Sequence, residues 1–249
     1  MTMRYLLARR NAGVLAQVAA HERTLLAFDF DGTLAPIVAQ RHRATMRAAT
    51  AALLGRASAR FAVAVISGRA LADVRRKLTG SGVRVIFGGH GLPVPRGTGR
   101  TLSPLRKALR SLVALEAPAL ELDDKGSSLA VHFVGRGAQR LEPSVRRAFA
   151  ETGVRARVVT GHRVIEFIAP QVGDKGRALR EAMRRTHSSR ALFIGDDRTD
   201  EDAFALAPAL DVIGVRVGRR ASSRAKYFVR DQREVDVLLR TLLRLRSPR

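Results

Sequence analysis

The chain contains no cysteine, no tryptophan and only two tyrosines in 249 residues, and its 22 acidic side chains face 45 basic ones. Without cysteine it can form no disulfide, no thiolate zinc site and no thiol nucleophile, and it suits a reducing cytoplasm. No apolar run approaches the roughly 18 to 20 uncharged residues of a membrane span, so a soluble, cytoplasmic chain is expected. Aromatic residues make up only 5%. The basic residues are spread along the whole length and no recognised nucleic-acid motif occurs, so the formal charge of +23 reads as a solvated Arg-rich surface. Specific nucleic-acid binding is not expected. The Arg-rich N-terminus MTMRYLLARRNAGVLAQVAAHER lacks the continuous apolar centre of a secretory signal. It reads as a surface helix leading into the first strand, with a transit peptide as the alternative.

A hydrophobic share of 46% is enough for a proper core, and the length suits one large domain or two modest ones, of which two are expected. Apolar, β-branched runs alternate with helical periodicity, which predicts a doubly wound α/β parallel sheet. Strands are predicted at 25–30, 61–66, 83–87, 191–194 and 212–217, and helices near 44–57, 70–79, 174–187, 200–207 and 232–246. Between Pro95 and Pro170 the texture changes. SPLRKALRSLVAL precedes ALELDDKGSSLAVHFV, and AQRLEPSVRRAFAE precedes VRARVVTGHRVIEFIA. Two successive helix-plus-hairpin units predict an open antiparallel sheet with helices on one face. The domains expected are a core of 1–94 and 171–249 and an inserted α+β domain of 95–170.

The stretch FDFDGTLAPI places Asp29 and Asp31 at the end of an apolar run. A buried carboxylate costs several kcal/mol unless a cation or hydrogen-bond donors compensate it. A second acidic loop, FIGDDRTDEDAF, again follows an apolar strand and carries Asp196, Asp197, Asp200, Glu201 and Asp202. In parallel α/β sheets reactive groups gather beyond the carboxyl ends of the strands, so the two loops can face each other. Oxygen ligands from both make the site expected for Mg²⁺. Each half alone also has a plain structural reading, as a turn or as an acidic helix start favoured by the macrodipole. Glu201 and Asp202 in particular read equally as cap and surface residues.

Ser67 begins SGR directly after FAVAVI and offers a hydroxyl and backbone N–H groups at a predicted helix start, an anion cradle or simply a cap. Lys175, in GDKGRAL, sits at another helix start, where a cation is unfavourable for the macrodipole. Only five of the basic residues are lysine, and Lys175 and Lys125 both stand in turn-like Lys-Gly contexts.

At these residues the sequence resembles the haloacid dehalogenase superfamily of phosphatases: DFDGT, Ser67, Lys175 and GDDRTD, in that order. More narrowly it is similar to the trehalose 6-phosphate phosphatases, through VISGR, the GHG of Gly89 to Gly91, DDKGSSLAVH, VIEFIAP followed by DKG, and the long GDDRTDEDAF. The resemblance implies a Mg²⁺-dependent phosphatase hydrolysing trehalose 6-phosphate. Asp29 would attack phosphorus, Asp31 would serve as general acid and base, and Ser67 and Lys175 would bind phosphoryl oxygens. Asp29, the Asp31 main-chain carbonyl and Asp196 would hold the metal, with Asp200 and Asp197 on its waters. The insert would be a cap closing over the site, and His90, Gly91, Asp123, Lys125 and Glu166 would grip the sugar, with His132 as a further candidate or an edge-strand histidine.

Two positions depart from the family pattern: Pro93 stands where a glutamate is usual, and Val134 where an arginine is usual after His132 and Phe133, with Arg136 nearby. Another glycosyl phosphate, such as sucrose 6-phosphate or mannosyl-3-phosphoglycerate, is therefore the alternative substrate. A signalling receiver domain also gathers aspartates, a hydroxyl and a lysine around Mg²⁺, but it is much shorter and has no insert. A basic nucleic-acid binder on a retained phosphatase fold is the third reading. A monomer acting on a small sugar phosphate is expected.

Overall fold

The computed structural model describes residues 2–38, 40–89, 91, 97–161, 163–170 and 172–246, apart from the Arg41 side chain. His90 and Pro93 lie outside the described residues. The chain divides into two compact units, Met1–Gly91 with Asp174–Arg249, and Leu92–Gly173.

In chain order the first unit begins with β1 (Arg4–Tyr5), α1 (Ala12–Ala20), β2 (Thr24–Phe28), α2 (Ala48–Ser58), β3 (Ala62–Ile66), α3 (Leu71–Lys77) and β4 (Val85–Phe87). The second unit follows, with α4 (Ser103–Leu115), β5 (Leu120–Asp124), β6 (Ser128–Phe133), α5 (Glu142–Glu151), β7 (Arg157–Gly161) and β8 (Val164–Ile168). The chain then returns to the first unit through α6 (Lys175–Arg185), β9 (Arg190–Gly195), α7 (Glu201–Phe204), β10 (Val212–Val217), β11 (Tyr227–Val229) and α8 (Arg233–Leu245).

The first unit is a parallel sheet in the order β1-β11-β10-β9-β2-β3-β4. All five residues of β2 are buried, as a strand covered on both faces requires. Leu26 and Phe28 point into a cluster built from Leu15 and Val18 of α1, Leu53 and Leu54 of α2, and Leu238 and Leu242 of α8. On α8 the buried Val235, Leu238, Leu239 and Leu242 recur at helical spacing, so one stripe faces the sheet. Phe193 alternates with Leu192 and Ile194 on β9 and so points to the opposite face, where its ring meets Phe204 of α7 at 5.6 Å. Helices thus lie on both faces. Phe28 pairs in register with Val65 of β3 and Ile194 of β9, which brings the carboxyl ends of three neighbouring strands level.

The structure differs from the expected elements at the margins. β1 and β11, of two and three residues, add strands that the sequence pattern does not show, because such short runs carry no readable alternation. β2 stops at Phe28, and the predicted helix 200–207 is a single short turn, Glu201–Phe204.

The second unit is an antiparallel sheet in the order β5-β6-β8-β7. Leu105 and Leu109 of α4 and Val145 of α5 pack with Leu129, Val131, Ile165 and Phe167. Asp123, Ala130 and Glu166 are aligned across three strands, and His132 stands two residues from Ala130. Asp123, His132 and Glu166 therefore share the sheet face opposite Leu129 and Val131.

Asp236 on α8 is 4% exposed and ties that helix to α2, accepting hydrogen bonds from Thr50 Oγ1 at 2.8 Å and from Arg47 Nη2 at 2.9 Å. Asp236→Ala strands the buried Thr50 hydroxyl and should lower the unfolding free energy in urea by about 1–3 kcal/mol. The neighbouring exposed Val237, replaced by alanine, should change it by less than about 0.5 kcal/mol. Equal effects of the two substitutions would contradict this reading.

Candidate active site

Asp29 is the first residue beyond β2. Its N–H donates to the Ile194 carbonyl at 2.8 Å, which extends the β2–β9 pairing by one step and fixes the side chain at the strand tip. The chain then turns sharply: the N–H groups of Leu34 and Ala35 both donate to the Phe30 carbonyl, at 2.9 and 2.8 Å. Gly32 sits in this turn with φ of +77°, and a Cβ there would lie 2.2 Å from Asp196 Oδ2. The glycine of DFDGT thus supplies both a left-handed conformation and the space that lets the Asp196 carboxylate press against the loop after β2.

Asp196 is the first residue beyond β9. One oxygen from each of Asp29, Asp196 and Asp200 falls within 4.8 Å of the others. Lys175, the first residue of α6 and 2% exposed, reaches Asp29 Oδ1 at 2.8 Å and Asp200 Oδ1 at 2.7 Å with its ammonium. Asp174 caps α6 by accepting the Arg177 N–H at 2.7 Å, which offsets the awkward position of the lysine at the helix start. Asp200 is fully buried; its second oxygen accepts the Asp197 N–H at 2.8 Å. Gly195 leaves room for it, since a Cβ there would lie 2.3 Å from the Asp200 carboxyl carbon. The acidic loop of the sequence therefore does two jobs. Asp196 and Asp200 enter the cluster, whereas Glu201 accepts from Arg216 at 3.2 Å and from the Arg224 N–H at 2.7 Å.

Three carboxylates share one ammonium, and the electrostatics follow from that imbalance. Burial raises the Asp29 carboxyl to about 7; Lys175 opposes the rise, and the Asp200 charge adds to it. Asp196 is raised well above the usual carboxylate range by burial and then by Asp29 and Asp200. Burial would lower Lys175, but the Asp200 and Asp29 charges outweigh it and raise the lysine above its ordinary value, so it stays charged. Asp196 Oδ1 is buried and has no hydrogen-bond partner among the described residues. An orphaned carboxylate oxygen within a cluster of hard oxygen donors that carries excess negative charge fits a divalent cation of the Mg²⁺ type.

Ser67 follows β3, beside β2. It is 1% exposed, its N–H donates to the Phe87 carbonyl at 2.9 Å, and its Oγ accepts the Arg69 N–H at 3.2 Å. α3 begins at Leu71, close to the expected 70–79, so the strand end and a short loop, rather than the helix N-terminus itself, present the hydroxyl. Asp31 does not turn its carboxylate into the cluster; both oxygens accept from the Arg69 guanidinium, at 2.6 and 2.7 Å. Sequence reasoning passed over Arg69, although VISGR contains it. It also passed over Arg216, 7% exposed, which donates to the Asp196 carbonyl and to the Asp197 carbonyl and so holds the acidic loop in place. A charged residue inside the apolar strand VIGVRV was the available signal.

Gly91 closes a turn through its N–H on the Gly88 carbonyl, at 3.3 Å. Within the second unit, Lys125 bonds Glu166 Oε1 at 2.6 Å and lies 3.9 Å from Asp123 Oδ2, and Ser128 Oγ donates to Glu166 Oε1 at 2.9 Å. Of the residues expected to read a sugar, Asp123, Lys125 and Glu166 therefore form one polar group, and His132 shares the sheet face of Asp123 and Glu166.

The trehalose-phosphatase family model matches residues 27–233. The chain is 34% identical over 214 residues to a trehalose-phosphate phosphatase of Mycobacterium ulcerans (strain Agy99), covering 78% of this chain and 54% of that protein. It is likewise 34% identical over 209 residues to one of Mycobacterium avium (strain 104), covering 76% and 53%. It thus spans about half the length of these relatives. Among solved structures, the C-terminal domain of the C. albicans trehalose-6-phosphate phosphatase superposes with a TM-score of 0.82 over 98% of both chains at 20% identity, a likeness of fold. Residues 27–233 begin two positions before Asp29 and take in every cluster member, so the chain belongs to the trehalose-phosphatase family.

Proposed function

We propose that this chain is a Mg²⁺-dependent phosphatase that hydrolyses trehalose 6-phosphate to trehalose and phosphate through an aspartyl-phosphate on Asp29. The observation that carries the reading is the convergence of Asp29, Asp196, Asp200 and Lys175 at adjoining strand tips in a chain of this family. A cytoplasmic, monomeric enzyme fits a cysteine-free chain with a net charge of +23, whose self-repulsion opposes association. No helix among the described residues is long and apolar enough to cross a membrane.

Asp29, the Asp31 main-chain carbonyl and Asp196 would hold the cation, which when bound neutralises charge between the nucleophile and the phosphoryl oxygens. Asp29 would need no general base, because Lys175 and a bound cation both favour its charged, nucleophilic form against the penalty of burial. With Oδ1 oriented by the lysine, Oδ2 attacks phosphorus and the bond from phosphorus to the sugar oxygen breaks. Asp31 gives its proton to that oxygen, then takes one from the water that attacks the aspartyl-phosphate, and the bond between phosphorus and Asp29 breaks. Ser67 and Lys175 bind the remaining phosphoryl oxygens, and Asp200 fixes the lysine. The inserted unit acts as the cap that reads the sugar. Asp123, Lys125, Glu166, His132, Gly91 and His90 supply directional partners for hydroxyl groups, and a site built for those groups rejects substrates that leave them unpaired.

Phosphate release from trehalose 6-phosphate, sucrose 6-phosphate and glucose 6-phosphate, with and without Mg²⁺, tests this. Trehalose 6-phosphate should be preferred and turnover should vanish in chelator. Asp29→Asn should cut kcat by at least about 10³-fold while the protein stays folded. Equal turnover of the three sugars would remove the trehalose assignment, and an active Asp29→Asn protein would remove the nucleophile.

A pH test follows from the raised carboxyl. Because Asp29 rises from 3.8 to about 7 on folding, the cation-free folded chain holds more protons than the unfolded chain between these values, so stability falls as pH rises through that window. A divalent cation removes the penalty. Its stabilising shift in thermal melts should therefore be larger at about pH 8 than at about pH 5, and the same shift at both values would count against the cluster as the binding site.

A further inference from the structure

Resting on the phosphatase reading above, we propose that Arg69 is the positioning residue for Asp31: it aims the carboxyl group that protonates the leaving sugar oxygen and later activates water. The two N–H groups on Nε and Nη2 grip both oxygens of Asp31, at 2.7 and 2.6 Å. A planar fork on a planar carboxylate sets the plane and direction of the acid as well as its place, which a single lysine contact does not.

The fork itself is fixed from several sides. Nη1 donates to Asp73 Oδ2 at 2.8 Å, and the guanidinium carbon lies 5.5 Å from the centre of the Phe30 ring. The Arg69 N–H donates to Ser67 Oγ at 3.2 Å, and its carbonyl accepts from Gly89 N–H at 2.7 Å. Gly88 permits that approach: a Cβ there would lie 2.4 Å from the Leu71 nitrogen and 2.8 Å from the Arg69 carbonyl oxygen. The VISGR and GGHG stretches thus meet at the backbone of Arg69.

Burial shows which partner serves the other. The Arg69 side chain is 4% exposed and is anchored by Asp73 of α3, which at the same time pairs with Arg76 at 2.6 Å. Asp31 is 25% exposed, a short side chain on a tight turn beyond the strand end, and both of its oxygens are held by the one guanidinium. The buried, pre-fixed fork thus sets its rotamer, and pre-organisation of this kind is what a proton-transfer group requires.

The test separates the proton-transfer step from the attack by Asp29. A sugar alkoxide leaves poorly without a proton, whereas a nitrophenolate leaves without one; both need Asp31 afterwards to activate water. Arg69→Met should lower kcat on trehalose 6-phosphate by about 100-fold or more. The first release of nitrophenol from p-nitrophenyl phosphate should slow by less than about tenfold, and KM for the sugar phosphate should change by less than about threefold. The aryl substrate should then show a burst of one equivalent followed by slow turnover. Asp73→Asn, which loosens the fork without touching Asp31, should again slow the sugar step more than the first aryl step, by smaller factors, and it carries the test should Arg69→Met fail to fold. Arg69→Lys should recover part of the sugar-phosphate rate. Equal slowing of the sugar step and the first aryl step would overturn the positioning role, as would wild-type kcat in Arg69→Met. A wild-type protein inactive on every sugar phosphate would instead overturn the phosphatase reading on which the proposal rests.

Discussion

Asp29, Asp196 and Asp200 each place an oxygen within 4.8 Å of the others, and a single ammonium, Lys175, stands against them. In a buried setting this surplus of negative charge is costly unless a further cation joins it. Much of the local architecture makes sense as the means of holding that surplus in place. β2 and β9 run side by side and end level, so the residues that follow them meet. Gly32 and Gly195 leave space where any Cβ would strike a carboxylate. Asp174 caps the helix whose first residue is the lysine.

The abundance of arginine acquires a local meaning against this background. Most of the arginines are solvated, but two buried ones work at the site beside Lys175. Arg216 holds the main chain of the acidic loop through two successive carbonyls, and Arg69 holds the carboxylate that is left out of the cluster. Asp29 and Asp31 are two residues apart yet receive different surroundings, one among fellow carboxylates and an ammonium, the other on a guanidinium fork. Neighbouring acids in unlike environments are what a reaction needing both a nucleophile and a proton donor calls for.

Much of this was legible in the sequence because burial leaves a strong imprint on it. TLLAF and RALFIG read as covered parallel strands, and an aspartate directly after each is conspicuous in a chain with so few acids. The two helix-plus-hairpin units were readable for the same reason, since alternation and helical period differ. The sequence pattern did not reveal contacts made by single side chains across long separations. Arg69 and Asp31 are 38 residues apart, and no periodicity links them. α3 starts at Leu71, within one residue of the expected 70–79, but no pattern marks the short loop that separates Ser67 from it. The short strands β1 and β11 depend on pairing with each other and, for β11, with β10 rather than on any pattern of their own.

The fold gathers distant carboxylates in a position to receive one divalent ion. Crystals grown with Mn²⁺ and measured at its absorption edge test it most directly. An anomalous peak coordinated by oxygens of Asp29 and Asp196, at the carboxyl ends of β2 and β9, is expected. Saturating Mn²⁺ with no peak between those two side chains, or with density only at surface acids, would contradict it.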